Sequence, residues 1–580
     1  MAEPQQPLRI ALAQINPTVG DIDGNAARIA GDTARARELG AQLVVFPELC
    51  LCGYPAEDLL LKTGFLDAVG AALEELAGNT RGIAALVGFP ERAGDVFNSA
   101  ALLADGEVRG VYRKMHLPNY GVFDEQRYFQ AGGEPMTFEL NGVSVGLTIC
   151  EDIWEPGPPA MAEALSGAQL IVNLSASPYR AGYGRGRERM LVQRAVDYRA
   201  AVVLVNTVGA QDELVFDGHS VAIDPEGEPL ARCPQFEEAL TLCSVDPRAV
   251  LAARLRDTRH RANVRRERAA GTRVVSLGRV EVPSAEGDGA AARLVAELMG
   301  PEEEVYAALR TGLHDYVEKN GFERVVVALS GGIDSALAAL IAADALGAER
   351  LTCVSMPSPH SSAGTRSDAR AIAQNLGCDF REIPIEGAMR SYEELLAESF
   401  NGSEPDITEE NLQARIRGNV VMALSNKFGW LVVATGNKSE MSVGYATLYG
   451  DMAGGFAVLK DVYKGWVYRL VRWRNSQAGK ELVPSSVLER PPSAELRPDQ
   501  RDEDSLPPYD VLDAILEGYV EGDLDVAELT QRGLPADEVE RVIAMVDRSE
   551  YKRRQAPPGV KISTKAFGRD RRLPITNRFR

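Results

Sequence analysis

A chain of 580 residues is longer than one hydrophobic core normally serves, so length alone sets an expectation of roughly two to four domains. Hydrophobic residues make up 45% and charged residues 25%, which excludes a fibrous or intrinsically disordered chain. With 83 acidic against 63 basic residues the formal charge is -20, which argues against an extended footprint on a nucleic-acid backbone and leaves room for a local basic pocket that takes small anions.

From Leu8 to about Pro247 the sequence repeats short Val/Ile/Leu/Ala-rich runs: LRIALAQI, AQLVVFPEL, IAALVGFP, VSVGLTIC, AQLIVNLSAS, AAVVLVNTVG and HSVAIDPEG. Each has strand length, and stretches with helical spacing, including 24–38 and 185–199, lie between several of them. The pattern predicts an αβ sandwich over residues 1–250. Residues 251–299 mix basic residues, one strand-like run and Gly/Pro/Ser breakers, and read as a connecting region. A helix beginning near Pro301 then leads into the strand ERVVVALS, and GGIDSALAALIAADALGA reads as a turn and an apolar helix. Further strands are expected at LTCVSMP, DFREIPI and LVVATGN, so residues 300–580 are expected to form a Rossmann-like parallel sheet covered by helices. PPSAELRPDQRDEDSLPPYD reads as an acidic loop and the last twenty residues as a basic cap.

No run approaches the roughly 18 apolar residues of a membrane span, and the start MAEPQQPLRI lacks a secretory signal's basic and apolar regions, so the expected compartment is the cytoplasm. Seven cysteines, an odd number without a CxxC pair, and only five histidines argue against a disulfide framework and a structural zinc cluster.

Three residues in the first half stand at predicted strand exits. The strand AQLVVF ends at Pro47-Glu48, where partial burial would raise the glutamate's pKa toward general-base behaviour. Lys114, in VYRKMHLPNYGVFDE, brings an ammonium able to stabilise an oxyanion. Cys150 closes VSVGLTI just before Glu151 and Asp152, which puts its sulfur at a strand-to-helix elbow. A base, a cation and a nucleophile at neighbouring strand ends suit covalent acyl chemistry. In the second half, VVVALSGGIDS places Ser330, Gly331, Gly332, Asp334 and Ser335 directly after an apolar strand and at the start of a helix, where backbone N–H groups and hydroxyls hold phosphate oxygens. The GxxxxGK[ST] of an ordinary ATP-hydrolysing loop is missing from this turn.

These segments carry two resemblances. FPEL, YRKMHLPNYGVFDE and LTICEDIW resemble the glutamate, lysine and cysteine segments of the carbon-nitrogen hydrolase (nitrilase) superfamily, especially its glutaminase members. That resemblance implies an αββα fold, Glu48 as proton shuttle, Lys114 as oxyanion support and Cys150 as nucleophile. The loops PNYGVFDE and SASPYRAGYGR supply Tyr120, Glu125, Ser177 and Arg185 as candidates for the amino-acid end of glutamine. SGGIDS resembles the pyrophosphate loop of N-type ATP pyrophosphatases, and the segments at 355–368, 435–440, 448–465 and 491–510 resemble those of glutamine-dependent NAD synthetases. On that comparison Met356 and Thr435 join the ATP site, Asn437, Asp451, Lys464 and Lys565 attend deamido-NAD, and Asp334 with Glu440 holds Mg2+.

The resemblance implies ATP, glutamine and deamido-NAD as substrates, NAD as product rather than cofactor, a homo-oligomer, and an enclosed passage for ammonia, with no nucleic-acid or membrane partner. Two other readings remain at this stage: an amidotransferase acting on another adenylated carboxylate, and an inactive nucleotide-sensing scaffold.

Overall fold

The computed structural model describes residues 6–283, 294–498 and 500–578. The chain divides into two compact units, one running to Met299 and the other from Gly300 onward, with Asp212–Leu214 grouped with the second.

The strands of unit 1 are, in chain order, Leu8–Gln14 (β1), Leu43–Val45 (β2), Ala84–Arg92 (β3), Val96–Ala104 (β4), Glu107–Arg113 (β5), Met136–Leu140 (β6), Val143–Ile149 (β7), Leu170–Ser175 (β8), Ala201–Asn206 (β9), Val208–Gln211 (β10), Leu214–Asp217 (β11), Val221–Ile223 (β12), Pro229–Arg232 (β13), Ala239–Val245 (β14) and Val275–Val280 (β15). They form one sheet in the order β14-β1-β2-β3-β4-β5, a second in the order β13-β12-β9-β8-β7-β6-β15, and a small β10-β11 ribbon. The two sheets share a core, in which Ile10, Leu12, Val45 and Leu86 of the first pack with Val145, Leu147, Val172 and Val203 of the second. Strands β8 and β9 are buried along their whole length, because helices cover the sheet's other face. There Leu191, Ala195 and Tyr198 of the helix Tyr183–Tyr198 lie against Ile171, Val202 and Leu204. Helices Ile22–Glu38 and Thr63–Ala77 bury Ile29 and Ala36, and Leu66, Val69 and Leu73, giving the αββα layering.

The stretch expected as a connection is more structured than its composition suggests. Helices Pro247–Arg256 and Thr258–Ala270 are followed by β15, which pairs in parallel with β6 and adds an edge strand to unit 1. Residues 284–293 of that stretch, Asp499 of the acidic loop and the last two residues of the basic cap lie outside the described residues.

Unit 2 has a five-stranded sheet of Val325–Ala328 (β16), Leu351–Ser355 (β17), Asp379–Glu382 (β18), Leu431–Ala434 (β19) and Phe456–Ala457 (β20), in the order β18-β17-β16-β19-β20 and parallel throughout. Central β16 has β17 on one side and β19 on the other, so the chain reverses its direction of winding there. The carboxyl end of such a strand opens a crevice in which open α/β sheets bind ligands. A second layer, in which Leu512, Ile515, Val539, Val542 and Val546 pack with Val443 and Tyr463, completes the unit. All seven cysteines are free thiols. Among the described residues, no helix is long and apolar enough to cross a membrane.

Candidate active sites

In unit 1, β2, β5 and β7 deliver Glu48, Lys114 and Cys150 from their carboxyl ends, as the strand reading predicts. The loop carrying Glu48 passes so close to Gly88 of β3 that an added Cβ there would lie 2.4 Å from the Leu49 nitrogen and 2.5 Å from the Pro47 oxygen. Lys114 is fully buried, and its Nζ donates to Glu48 Oε1 at 2.7 Å and to both oxygens of Glu125 at 2.8 Å. Tyr54 donates its hydroxyl to Glu125 Oε1 at 3.0 Å. Glu48 takes two further hydrogen bonds, from Asn98 Nδ2 on Oε1 and from the Ala176 N–H on Oε2, each at 2.8 Å.

One ammonium thus serves two buried carboxylates, and the excess negative charge has a visible effect. Burial pushes the Glu125 carboxyl up from 4.5 to about 7, against the pull of Lys114 and with the like charge of Glu48 adding to it. Burial by itself would lower the Lys114 pKa, but Glu125 and Glu48 outweigh it and hold the ammonium well above the ordinary lysine value.

Cys150 sits at the turn with φ +43°, in the left-handed region, and begins the short helical turn Cys150–Ile153. A strained, non-glycine residue at a strand-to-helix elbow is a recurrent feature of functional sites. Burial raises the thiol well above its ordinary range, Glu48 adds to that, and Lys114 opposes it, so the resting sulfur is a protonated thiol within electrostatic reach of both. Asp152, fully buried, ties this turn to the Lys114 loop. It accepts from Tyr112 Oη at 2.7 Å, from the N–H groups of Ile149 and His116 at 2.9 Å, and from that of Met115 at 3.1 Å.

At the rim, Tyr120 donates to both Glu151 oxygens at 3.0 Å. Buried Ser177 is held through its N–H by Asn206 Oδ1 at 2.8 Å. Arg185 is exposed, and its Nη2 donates to the Met299 carbonyl at 3.2 Å rather than to a member of the buried cluster.

In unit 2 the turn after β16 borders a cavity of about 280 Å³ lined by Ser330, Gly331, Gly332, Asp334, Ser335, Met356, Thr435, Glu440, Asp451 and Lys464, among others. Gly331 has φ +87°, and a Cβ there would fall 2.1 Å from the Thr365 carbonyl oxygen. Ser335 Oγ donates to the Gly332 carbonyl at 2.9 Å and lies 3.1 Å from Ser330 Oγ, which closes the turn at the start of the helix Ile333–Leu346. Asp334 accepts from Asn437 Nδ2 at 2.8 Å and from Lys464 Nζ at 2.6 Å, and the same ammonium reaches Glu440 Oε1 at 3.1 Å. Asn437 also caps the helix Lys438–Val443 through the Glu440 N–H. Burial, then the like charges of Asp334 and Asp502, push Glu440 up to about 7 against the opposing effect of Lys464.

Asp451 accepts from the Thr447 N–H at 2.7 Å. Lys565 does not line the cavity. Its Nζ pairs with Asp523 at 2.5 Å, while its carbonyl receives buried Lys438 at 3.1 Å. Among the described residues, no group of three or more His, Cys, Asp or Glu side chains is placed to hold a metal.

A carbon-nitrogen hydrolase family profile matches residues 9–254, and an NAD synthase profile matches 305–556. The chain is 50% identical to the glutamine-dependent NAD(+) synthetase of Thermotoga maritima, covering 99% of both chains. It is 47% identical to that of Aquifex aeolicus, covering 99% of this chain and all of the relative. The chain belongs to the glutamine-dependent NAD(+) synthetase family. The solved structure of the Acinetobacter baumannii glutamine-dependent NAD+ synthetase in complex with ADP matches 99% of each chain at 40% identity, with a TM-score of 0.73.

For this family member several site residues carry no role in the sequence motifs, Tyr54 and Asn98 in unit 1 and Arg417 and Arg490 in unit 2, while Asp502, of the acidic run in the 491–510 segment, proves to line the cavity. Arg417 Nε donates to the Met356 carbonyl at 3.1 Å, and Arg490 and Asp502 line the same cavity. Asn98 has a legible signal, a carboxamide inside the apolar strand VFNSAALLA. Arg417 has none, coming from the helix Ile407–Phe428 outside every quoted segment, and Arg490 stands just before the 491–510 segment.

Proposed function

We infer that this chain amidates deamido-NAD to NAD, using ATP and nitrogen released from glutamine, with AMP, pyrophosphate and glutamate as the other products. The observation that carries the reading is the Glu48-Lys114-Glu125 cluster around a buried thiol, within a chain aligned end to end with glutamine-dependent NAD(+) synthetases. Residues 1–250 are assigned the glutaminase, 300–580 the synthetase, and 251–299 the connection.

Because the Cys150 thiol rests protonated, it needs a base as it attacks. Glu48 takes that proton while sulfur adds to the side-chain carbonyl of glutamine, and Lys114 with backbone N–H groups stabilises the oxyanion. Glu48 then protonates the departing nitrogen, and ammonia leaves a thioester on Cys150. Water, deprotonated by Glu48, cleaves the thioester and frees glutamate. Glu125 keeps Lys114 charged and in place throughout. Glu125, expected from the sequence at the amino-acid end of glutamine, is instead engaged by Lys114 and Tyr54, while Tyr120, Ser177 and Arg185 remain assigned to that end of the substrate.

In unit 2 the nicotinate carboxylate of deamido-NAD attacks the α-phosphorus of ATP. The Ser330–Ser335 turn cradles the departing pyrophosphate with its hydroxyls and helix-end N–H groups. Ammonia then adds to the activated acyl carbon and AMP leaves, giving NAD. Asp334 and Glu440 suit a magnesium ion, being hard oxygen donors that already hold a cation, the Lys464 ammonium, between them. A bound magnesium ion would offset the charge of the ATP phosphates. Met356 and Thr435 are assigned to ATP, and Asn437, Asp451, Lys464 and Lys565 to the deamido dinucleotide.

Incubation with deamido-NAD, ATP and glutamine should yield NAD, AMP and glutamate in equal amounts. Deamido-NAD left unused while ATP and glutamine are consumed would instead favour another carboxylate as acceptor.

A further inference from the structure

We propose that Asn98 is a positioning residue for glutamine hydrolysis, one that fixes the Glu48 carboxylate so that a single oxygen is left to receive the Cys150 proton. The proposal rests on the reading of Glu48 as the base. Asn98 lies in β4, 1% exposed, on the same face as the core residues Ala100 and Leu102, and its side chain meets Glu48 of the cluster. Each carboxylate oxygen has about two lone pairs to offer. Both on Glu48 Oε1 are engaged, by Lys114 Nζ and by Asn98 Nδ2. Among the described residues Oε2 accepts the Ala176 N–H alone and keeps one free.

Lys114 cannot impose this orientation alone. An ammonium is a compact charge with rotatable donors, and Lys114 divides itself between Glu48 and both oxygens of Glu125. The planar carboxamide is the directional partner. The same residue also holds the lysine's backbone, since the Asn98 carbonyl accepts the Lys114 N–H at 2.8 Å. Asn98 therefore sets base and cation from one point of one strand.

The other end of the carboxamide supports a functional rather than a structural role. Asn98 Oδ1 is buried and has no hydrogen-bond partner among the described residues. A buried acceptor left bare is unfavourable, and a side chain kept only for packing would be better served by an apolar residue of the same size. What the carboxamide supplies that leucine lacks is the Nδ2 donor aimed at Glu48.

The test compares Asn98→Leu, Asn98→Asp and Glu48→Gln in the full chain. Glutaminase activity and ammonium-supported NAD synthesis are measured side by side, the second reporting that unit 2 is intact and the unit 1 calorimetric midpoint reporting that the altered unit is folded. With Asn98→Leu, glutaminase kcat should fall on the order of 100-fold, the scale of a misplaced reacting group, with KM within about threefold and ammonium-supported synthesis within about twofold. Asn98→Asp places a carboxylate against Glu48, beside Lys114, Glu125 and Cys150. Its activity relative to the unaltered protein should climb as pH falls, because the protonated carboxyl donates as the amide did. A loss from packing damage would have no such pH signature.

Normal glutaminase kcat in Asn98→Leu, or a flat pH ratio in Asn98→Asp, overturns the proposal if Glu48→Gln is inactive. Full glutaminase activity in Glu48→Gln would instead remove the base reading beneath it. If Asn98→Leu does not fold, the pH ratio of Asn98→Asp decides.

Discussion

Replacing Glu125 with glutamine should stabilise unit 1 at alkaline pH while disabling it as a glutaminase. The substitution keeps shape and removes one of two buried carboxylates that share one ammonium. In the folded protein burial raises the Glu125 pKa to about 7, against 4.5 for the ordinary group. A carboxyl raised in this way favours the fold while it is protonated. Its contribution is complete below about 4.5 and is lost as pH rises through about 7. At 1.36 kcal/mol for each tenfold change, the loss is about 3 kcal/mol.

For a unit of roughly 300 residues, with an unfolding entropy of about 2 cal/mol/K per residue, that corresponds to about 5 °C in midpoint. Glu125→Gln has nothing to titrate there. Its unit 1 transition, followed by scanning calorimetry from pH 4 to pH 8, should therefore gain about 5 °C on that of the unaltered protein. Glutamine hydrolysis should fall on the order of 100-fold, because Lys114 is held by one carboxylate instead of two. A midpoint difference that does not change with pH would refute the charge argument for this cluster.

Gly331→Ala should abolish pyrophosphate release from ATP while leaving glutamine hydrolysis intact, since a Cβ there meets the Thr365 carbonyl at 2.1 Å on a backbone with φ +87°. Pyrophosphate release at the normal rate would show that the turn does not hold the phosphates. Asp334→Asn should remove NAD synthesis from glutamine and from ammonium alike, and normal synthesis with ammonium would reject Asp334 as the cation-side anchor. Asp152→Ala leaves four donors without their acceptor and should destabilise unit 1 by about 3 kcal/mol, read as a lower calorimetric midpoint, with glutaminase activity lost as well. An unchanged midpoint would mean that water replaces the carboxylate.

Much of this arrangement is legible in the sequence because period and chemistry agree there. The largely apolar runs AQLIVNLS and AAVVLVN are strands buried on both faces, and Glu48, Lys114, Cys150 and the Ser330 turn stand where such runs stop. The parallel sheet of unit 2 follows from the same rule, apart from β20, which at two residues is too short to carry a period. What the sequence does not display is pairing between distant segments. Val275–Val280 reads as part of a linker until its partner β6 is known, Tyr54 carries no mark of the carboxylate it faces, and the carboxamide of Asn98 stands out in its strand without revealing Glu48 as its partner. Lys464 is the sharpest case: a lysine at the start of an amphipathic helix lies buried between Asp334 and Glu440, which stand 130 and 24 residues before it in the chain.

The central claim is that nitrogen is cut from glutamine at Cys150 and captured by an adenylated acid in the other unit. Measuring NAD formation by Cys150→Ala with glutamine and with ammonium tests it most directly. Synthesis should vanish with glutamine and continue with ammonium at close to the unaltered rate. Undiminished glutamine-supported synthesis in this variant would contradict the account.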